Sequence, residues 1–354
     1  MKAALRLVSL ALALAGCASD GIVRGRLHYG LADAPEGERL LWPQPPEVPR
    51  FAYTGTLTGE PNFRPDEPTT GRLEAFGRWL VGLDGRGRAP VVLQRPAAVT
   101  GDEQGRLYVS DTSRQAVFVF DAARGELQVW EQADGVLRFV APGGLASAPG
   151  GGVYVADAEL GFVARLDATG QARAVIGRGA LRRPTGLARD AAAGRLYVAD
   201  TAAHDIKVFD EAGTLIETLG RRGEAPGEFN FPTHLAFAAG RLVVADTLNQ
   251  RVQLRGADGA WQVIGRRGLF VGDLVRPKGV ALDAEGHVYV VESYYDSLLV
   301  FSPQGEFLMP IGGTGTATGR FYLPAGVWVD AANRVHVADM FNGRIVLFQF
   351  LGGS

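Results

Sequence analysis

A phrase that returns every 43 to 47 residues constrains this chain more than any other feature. Its fullest copy is Gly240-Arg-Leu-Val-Val-Ala-Asp246-Thr-Leu-Asn249-Gln-Arg251-Val-Gln-Leu254: an apolar strand, a polar turn opened by an acid, and a second strand. The other copies are Leu107-Tyr-Val-Ser-Asp111, Val153-Tyr-Val-Ala-Asp157, Leu196-Tyr-Val-Ala-Asp200, Val288-Tyr-Val-Val-Glu292 and Val335-His-Val-Ala-Asp339. Six positions after each acid stands an aliphatic residue (Val117, Val163, Ile206, Val252, Leu298, Ile345), and upstream of each copy a proline (Pro96, Pro142, Pro184, Pro232, Pro277, Pro324). A fixed period in the forties marks a repeat architecture, in which one unit cannot bury its own apolar faces and stacks on copies of itself.

Each unit resolves into four short runs. In the fifth these are Lys278–Asp283, His287–Val291, Ser297–Phe301 and Phe307–Ile311, here strands a to d. Gly and Asp punctuate them, as expected of β-hairpin turns. Four strands per unit, repeated six times, predict an all-β, six-bladed β-propeller with blades from about 96, 142, 184, 232, 277 and 324. The last unit stops without a d strand, whereas Phe51-Ala-Tyr-Thr-Gly-Thr-Leu-Thr-Gly59 matches the d run Gly213-Thr-Leu-Ile-Glu-Thr-Leu-Gly220. Residues 50–58 are therefore expected to complete the C-terminal blade and close the ring over 50–354.

The run Gly265-Arg-Arg-Gly268, then Pro277-Lys-Gly279-Val-Ala-Leu-Asp283, then a strand and an acid, resembles the NHL repeat. The resemblance covers about residues 96 to 350 and recurs in all six units. It implies an NHL-type propeller, a fold that serves unrelated functions.

At the N-terminus Lys2 and Arg6 precede the apolar run Leu7 to Ala15, and Leu14-Ala15-Gly16-Cys17 ends it. This predicts a signal peptide over 1–16. It resembles a bacterial lipobox, which implies acylation of Cys17, the single cysteine. With Ala18 next, the resemblance implies a lipoprotein of the Gram-negative cell envelope, anchored to the outer membrane. Residues 17–49, with Pro35, Pro43, Pro45, Pro46 and Pro49, read as an extended tether. Residues 60–95 read as an insertion carrying a short helix near 72–83, with Leu73, Phe76, Leu80 and Leu83 around Trp79, and Gly77 and Gly82 weakening it. The net charge of −2 shows no basic excess suited to nucleic acid.

Strand alternation places the b–c turns and the d–a connections at one end of the ring. Loops on a rigid scaffold commonly carry function. The acids Asp111, Asp157, Asp200, Asp246 and Asp339 recur there in nearly every unit, so they are expected to hold turns together through backbone N–H groups. Arg221, Arg222, Arg266 and Arg267 occupy the d–a connections, where guanidinium groups can capture carboxylate or phosphate. Tyr294 and Tyr295 replace polar turn residues and Phe341 lies on the same face; exposed aromatics beside arginine are the composition of interface anchors. His234 stands where four other units have glycine, near the central channel. Peptidyl-hydroxyglycine lyases with NHL-like propellers resemble this chain and use zinc-binding histidines at Pro-x-His or Pro-His openings; here one unit of six has a histidine there, against about three protein ligands for catalytic zinc. No nucleophile elbow, phosphate loop or dinucleotide motif occurs. The reading is a non-catalytic scaffold binding an envelope protein, with no cofactor. The alternatives are a metal-dependent lyase or lactonase-like hydrolase at the channel around His234, and a sensor of a small anion or glycan.

Overall fold

The computed structural model describes residues 22–29, 40–64 and 89–352. Six antiparallel sheets stand around an axis. Strands a to d of blade 1 are Pro96–Gly101, Leu107–Asp111, Ala116–Asp121 and Glu126–Trp130; those of blade 4 are Pro232–Ala238, Arg241–Asp246, Arg251–Arg255 and Trp261–Ile264. Blades 2, 3 and 5 repeat the order from Pro142, Pro184 and Pro277. The chain is thus a six-bladed propeller of four-stranded blades, with no α-helix among the described residues.

Strand b is buried and mostly apolar because both of its faces are covered by neighbouring blades, with Ser110 and His336 as its buried polar exceptions short of the terminal acid. Leu107 and Val109 pack into the cluster between blades 6 and 1, whereas Tyr108 packs into the one between blades 1 and 2. Six such clusters, one per blade interface, make up the core. Along the axis a glycine two residues after the blade proline, present in blades 2, 3, 5 and 6, lets adjacent a strands touch. A Cβ on Gly144 would lie 2.4 Å from the carbonyl oxygen of Thr185, and one on Gly326 2.6 Å from that of Ala97.

The N-terminal segment differs from the free tether expected over 17–49. Strand β1 (Val23–Arg24) pairs with strand d of blade 1, and β2 (Arg26–Leu27) pairs with β5 (Phe63–Arg64) across the seam between blades 6 and 1. The backbone N–H of Thr56 donates to the Tyr29 carbonyl at 2.7 Å, which fastens the strap to blade 6. Strand β3 (Leu41–Trp42) lies outside β4 (Phe51–Leu57). The proline count concealed what docks these pieces: Val23, Leu27, Tyr29, Leu40 and Trp42 pack against the clusters flanking blade 6.

Strand β4 pairs with Arg344–Phe350 from Phe51↔Phe350 to Leu57↔Ile345, so an N-terminal strand completes blade 6 and closes the ring. Cys17, the signal peptide expected over 1–16 and the helix expected near 72–83 lie outside the described residues.

Candidate functional site

The b–c turns and d–a connections share one face, and the repeated acids bind them together. Asp111 is fully buried; one of its oxygens accepts the N–H groups of Gln94 and Arg95 in the incoming connection, and the other those of Ser113 and Arg114 in its own turn. Asp157 does the same with Val140, Ala141, Glu159 and Leu160. Asp200 takes the N–H groups of Arg182 and Arg183, Asp246 that of Asn230, and Asp339 that of Tyr322. Glu292 fills the role in blade 5 through Val275, Arg276 and Tyr294. These carboxylates position the loops of this face.

Blades 4 and 6 add an arginine clamp. Arg251 donates from Nε to Asp246 at 2.8 Å and from its terminal nitrogens to the carbonyls of Glu224, Ala225 and Glu228. Arg344 does likewise with Asp339 and the carbonyls of Thr316, Ala317 and Arg320. Asn249 and Asn342 each tie the acid to a further loop carbonyl. Blade 5 departs from this pattern: Ser297 stands in the arginine position and Tyr295 in the asparagine position, its hydroxyl donating to the Leu269 carbonyl at 3.2 Å. The connection held in this way carries Leu269, Phe270 and Val271 at its tip, exposed by 76 %, 76 % and 73 %. The equivalent tips are Glu224-Ala-Pro226 and Thr316-Ala-Thr318. Beneath the tip lies a cavity of ≈ 280 Å³ lined by Trp42, Tyr295, Leu299 and Pro310 together with the tip itself.

The residues singled out by sequence fall into adjoining patches of this face. Arg221 pairs with Glu228 and Arg266 with Asp273, each at 2.8 Å, and the guanidinium groups lower the pKa of both acids. Arg222 and Arg267 are exposed, and their guanidinium groups make no hydrogen bond or ion pair among the described residues. Tyr294 is exposed and meets Tyr295 edge-on, with ring centroids 5.0 Å apart. Phe341 lies in a separate group, between the Tyr322 ring and the Arg95 guanidinium, 4.9 Å above its face. Sequence reasoning missed Leu248, Leu269, Phe270, Val271 and Tyr322, all exposed here, and the clamps Arg251 and Arg344. Aligning the d–a loops of blades 4, 5 and 6 exposes the apolar tip, because each equivalent loop is polar or small there.

His234 lines the central channel, a cavity of ≈ 170 Å³ whose lining holds no carboxylate. Its Nδ1 accepts the N–H of Val280 on the next blade at 3.3 Å. Burial lowers its pKa from 6.5 to about 4. Between those values the unfolded chain binds the proton and the folded chain does not, so stability falls as pH drops from about 6.5 to about 4, by on the order of 1–3 kcal/mol. His234→Gly, which restores the residue of four other blades, is expected to flatten this part of the profile. Chemical denaturation at stepped pH measures it, and an unchanged profile overturns the assignment. No group of three or more His, Cys, Asp or Glu able to hold a metal occurs among the described residues. A larger groove of ≈ 950 Å³ lies at the other end of the ring, between residues 43–50 and the outer strand of blade 5.

Comparison with known proteins agrees with this architecture. The NHL-repeat family model matches residues 181–209, and a family described as a 6-bladed beta-propeller matches residues 278–354. The curated Protein brain tumor of Drosophila melanogaster is 27% identical over 137 residues, which is 38% of this chain and 13% of that protein. This chain therefore spans only a small part of that relative. Among solved structures, an auxiliary nutrient binding protein from Bacteroides ovatus superposes with TM-score 0.57 at 13% identity, over 72% of this chain and 69% of its own. A gluconolactonase from Xanthomonas campestris superposes with TM-score 0.56 at 18% identity, over 75% and 90%. Virginiamycin B lyase from Staphylococcus aureus gives TM-score 0.52 at 12% identity, over 73% and 96%. At such identities the likeness concerns the fold, which hosts both binding proteins and enzymes.

Proposed function

We propose that this protein is a non-catalytic scaffold that docks a protein partner on the b–c/d–a face. The observation that carries this reading is the apolar tip Leu269-Phe270-Val271, exposed beside Arg267 and Tyr294 and held from below by Tyr295. Three adjacent large apolar side chains at a loop tip are costly in water and pre-ordered for a partner. The cavity beneath them has room for one inserted side chain, and arginine with aromatics is the usual makeup of interface hot spots.

The place of action in this reading is the bacterial envelope, with the chain exported and acylated at Cys17, and the partner another envelope protein. Because the strap is docked from Val23 onward, an anchor at Cys17 leaves five residues, about 18 Å when extended, between the acylated residue and the docked strand. The propeller then lies against the membrane with the outer side of blade 1, and its loop face remains open. A channel-centred lyase or lactonase would have to assemble its ligands around His234, which no acid of the channel lining accompanies.

In-cell cross-linking and capture of the full chain tests the docking face. Leu269→Ser/Phe270→Ser/Val271→Ser is expected to lose at least about tenfold of a discrete partner, as removal of a buried hot spot does, with its melting temperature unchanged. A partner captured equally by wild type and this variant overturns the assignment of the face. For the anchor, Cys17→Ala is expected to move the protein from the membrane to the soluble fraction, and wild type that stays soluble counts against acylation.

A further inference from the structure

The axial mouth of the same face carries a group of residues distinct from the loop tips. The position after each blade proline lies on the innermost strand at that end of the ring, and its six occupants are Ala97, Gly143, Thr185, Thr233, Lys278 and Ala325. The threonine hydroxyls are occupied: Thr185 bonds Thr201 and the Thr233 carbonyl, and Thr233 bonds Thr247 and the Lys278 carbonyl. Lys278 is the one charged member. Its side chain is half-buried, and no described residue accepts a hydrogen bond from its ammonium or forms an ion pair with it. Burial, and after it the neighbouring Arg276 charge, lowers its pKa.

No acid of the blade serves as its counter-ion. Glu292 is fully buried and spends both oxygens on the N–H groups of Val275, Arg276 and Tyr294. The residues before the blade prolines add Arg95, Arg183 and Arg276 in alternate blades. Arg95 rests on Phe341 and Arg183 pairs with the exposed Glu159, whereas the Arg276 guanidinium is exposed and makes no hydrogen bond or ion pair among the described residues, the buried Glu292 carboxylate being a negative charge near it. A partly desolvated ammonium beside a second cation gains from an anion that joins them. The occupants of this position in three other blades, Ala97, Gly143 and Ala325, are small.

We propose that this mouth is a carboxylate-binding site, with the Lys278 ammonium as the anchoring charge and Arg276 as the second donor. A carboxylate has two acceptor oxygens and can bridge the two cations. It can come from a free small acid or from an Asp or Glu side chain of a docked protein, and in the second case the inference rests on the docking-face reading.

The chain has three lysines, Lys2, Lys207 and Lys278, and Lys207 is paired with Asp205, so amine acylation read by mass spectrometry reports Lys278 against an internal control. Succinate or N-acetyl-aspartate, at ten times its Kd, is expected to slow acylation of Lys278 about tenfold and leave Lys207 unaffected. Either acid is expected to raise the melting temperature of wild type and of Lys278→Arg but not of Lys278→Met. Partner capture then separates the two sources. Capture retained in Lys278→Met assigns the site to a free acid; capture lost in Lys278→Met and kept in Lys278→Arg assigns it to a side chain of the partner. Acylation unprotected by both acids, together with undiminished capture by Lys278→Met, overturns the site. Protection that persists in the Leu269→Ser/Phe270→Ser/Val271→Ser protein would uphold the site even if the docking-face reading fails.

Discussion

Asp246→Ala is expected to lower the unfolding free energy by about 3–5 kcal/mol, the loss typical of breaking a buried ion pair from one side. The Asp246 carboxylate is fully buried and accepts from the Asn230 backbone, Asn249 Nδ2, Arg251 Nε and Gln253 Nε2. Its removal leaves Arg251, whose side chain is 12% exposed, without its counter-charge while three loop carbonyls still hold the guanidinium in place. It also frees the connection that carries Arg221 and Arg222 from the turn beneath it. Asp246→Asn keeps acceptor capacity without the charge and is expected to lose less. Urea unfolding followed by circular dichroism measures the difference, with the m-value unchanged if the whole ring still unfolds together. A loss below about 1 kcal/mol would place Asp246 among ordinary turn acids, whose hydrogen bonds are worth roughly that much.

A chain that begins after Leu57 is expected not to fold as a cooperative monomer. Without β4 the strand Arg344–Phe350 becomes an open edge with its backbone groups unpaired, and unprotected edges of this kind invite association. Phe51 and Leu57 are removed from clusters on either side of blade 6 in the same deletion. Phe348 reports the closure in a single substitution, because its ring meets Trp42 and Tyr53 from the N-terminal segment and Phe321 from the preceding loop. Phe348→Ala is expected to cost about 3–5 kcal/mol, as for other fully buried phenylalanines. A chain begun at residue 40 loses β1 and β2 but keeps the closing strand, so it is expected to fold and to melt several degrees lower. Size-exclusion chromatography with thermal unfolding decides between these outcomes. A cooperative wild-type melt in the chain lacking β4 would show that blade 6 holds without it.

The repeat was legible because both of its causes are local. A run such as Leu242-Val-Val-Ala forms strand b wherever it is covered on both faces, and an acid after it caps the turn through backbone N–H groups a few residues away. Closure was legible too, since a missing d strand at one end and a d-like run at the other leave one way to complete blade 6. The strap was not legible. Two-residue strands such as Val23–Arg24 and Arg26–Leu27 carry no periodicity, and what holds them is the seam between blades 6 and 1, which exists only once the ring has closed.

The same division runs through the loop face. Composition and spacing put arginines and aromatics on it, but they weighted Arg221, Arg222, Arg266 and Arg267 alike. The folded shape of each loop separates them: Glu228 and Asp273, seven residues on, reach the first of each pair and leave Arg222 and Arg267 to solvent. The sequence by itself determined the blade number, the strand order and the shared face, because these follow from a period and from alternation along a chain. Only the tertiary structure decided which side chains stand free, among them Leu269, Phe270, Val271 and Lys278. The tip is held by Tyr295, 26 positions away on the following b–c turn, and no local pattern records that distance.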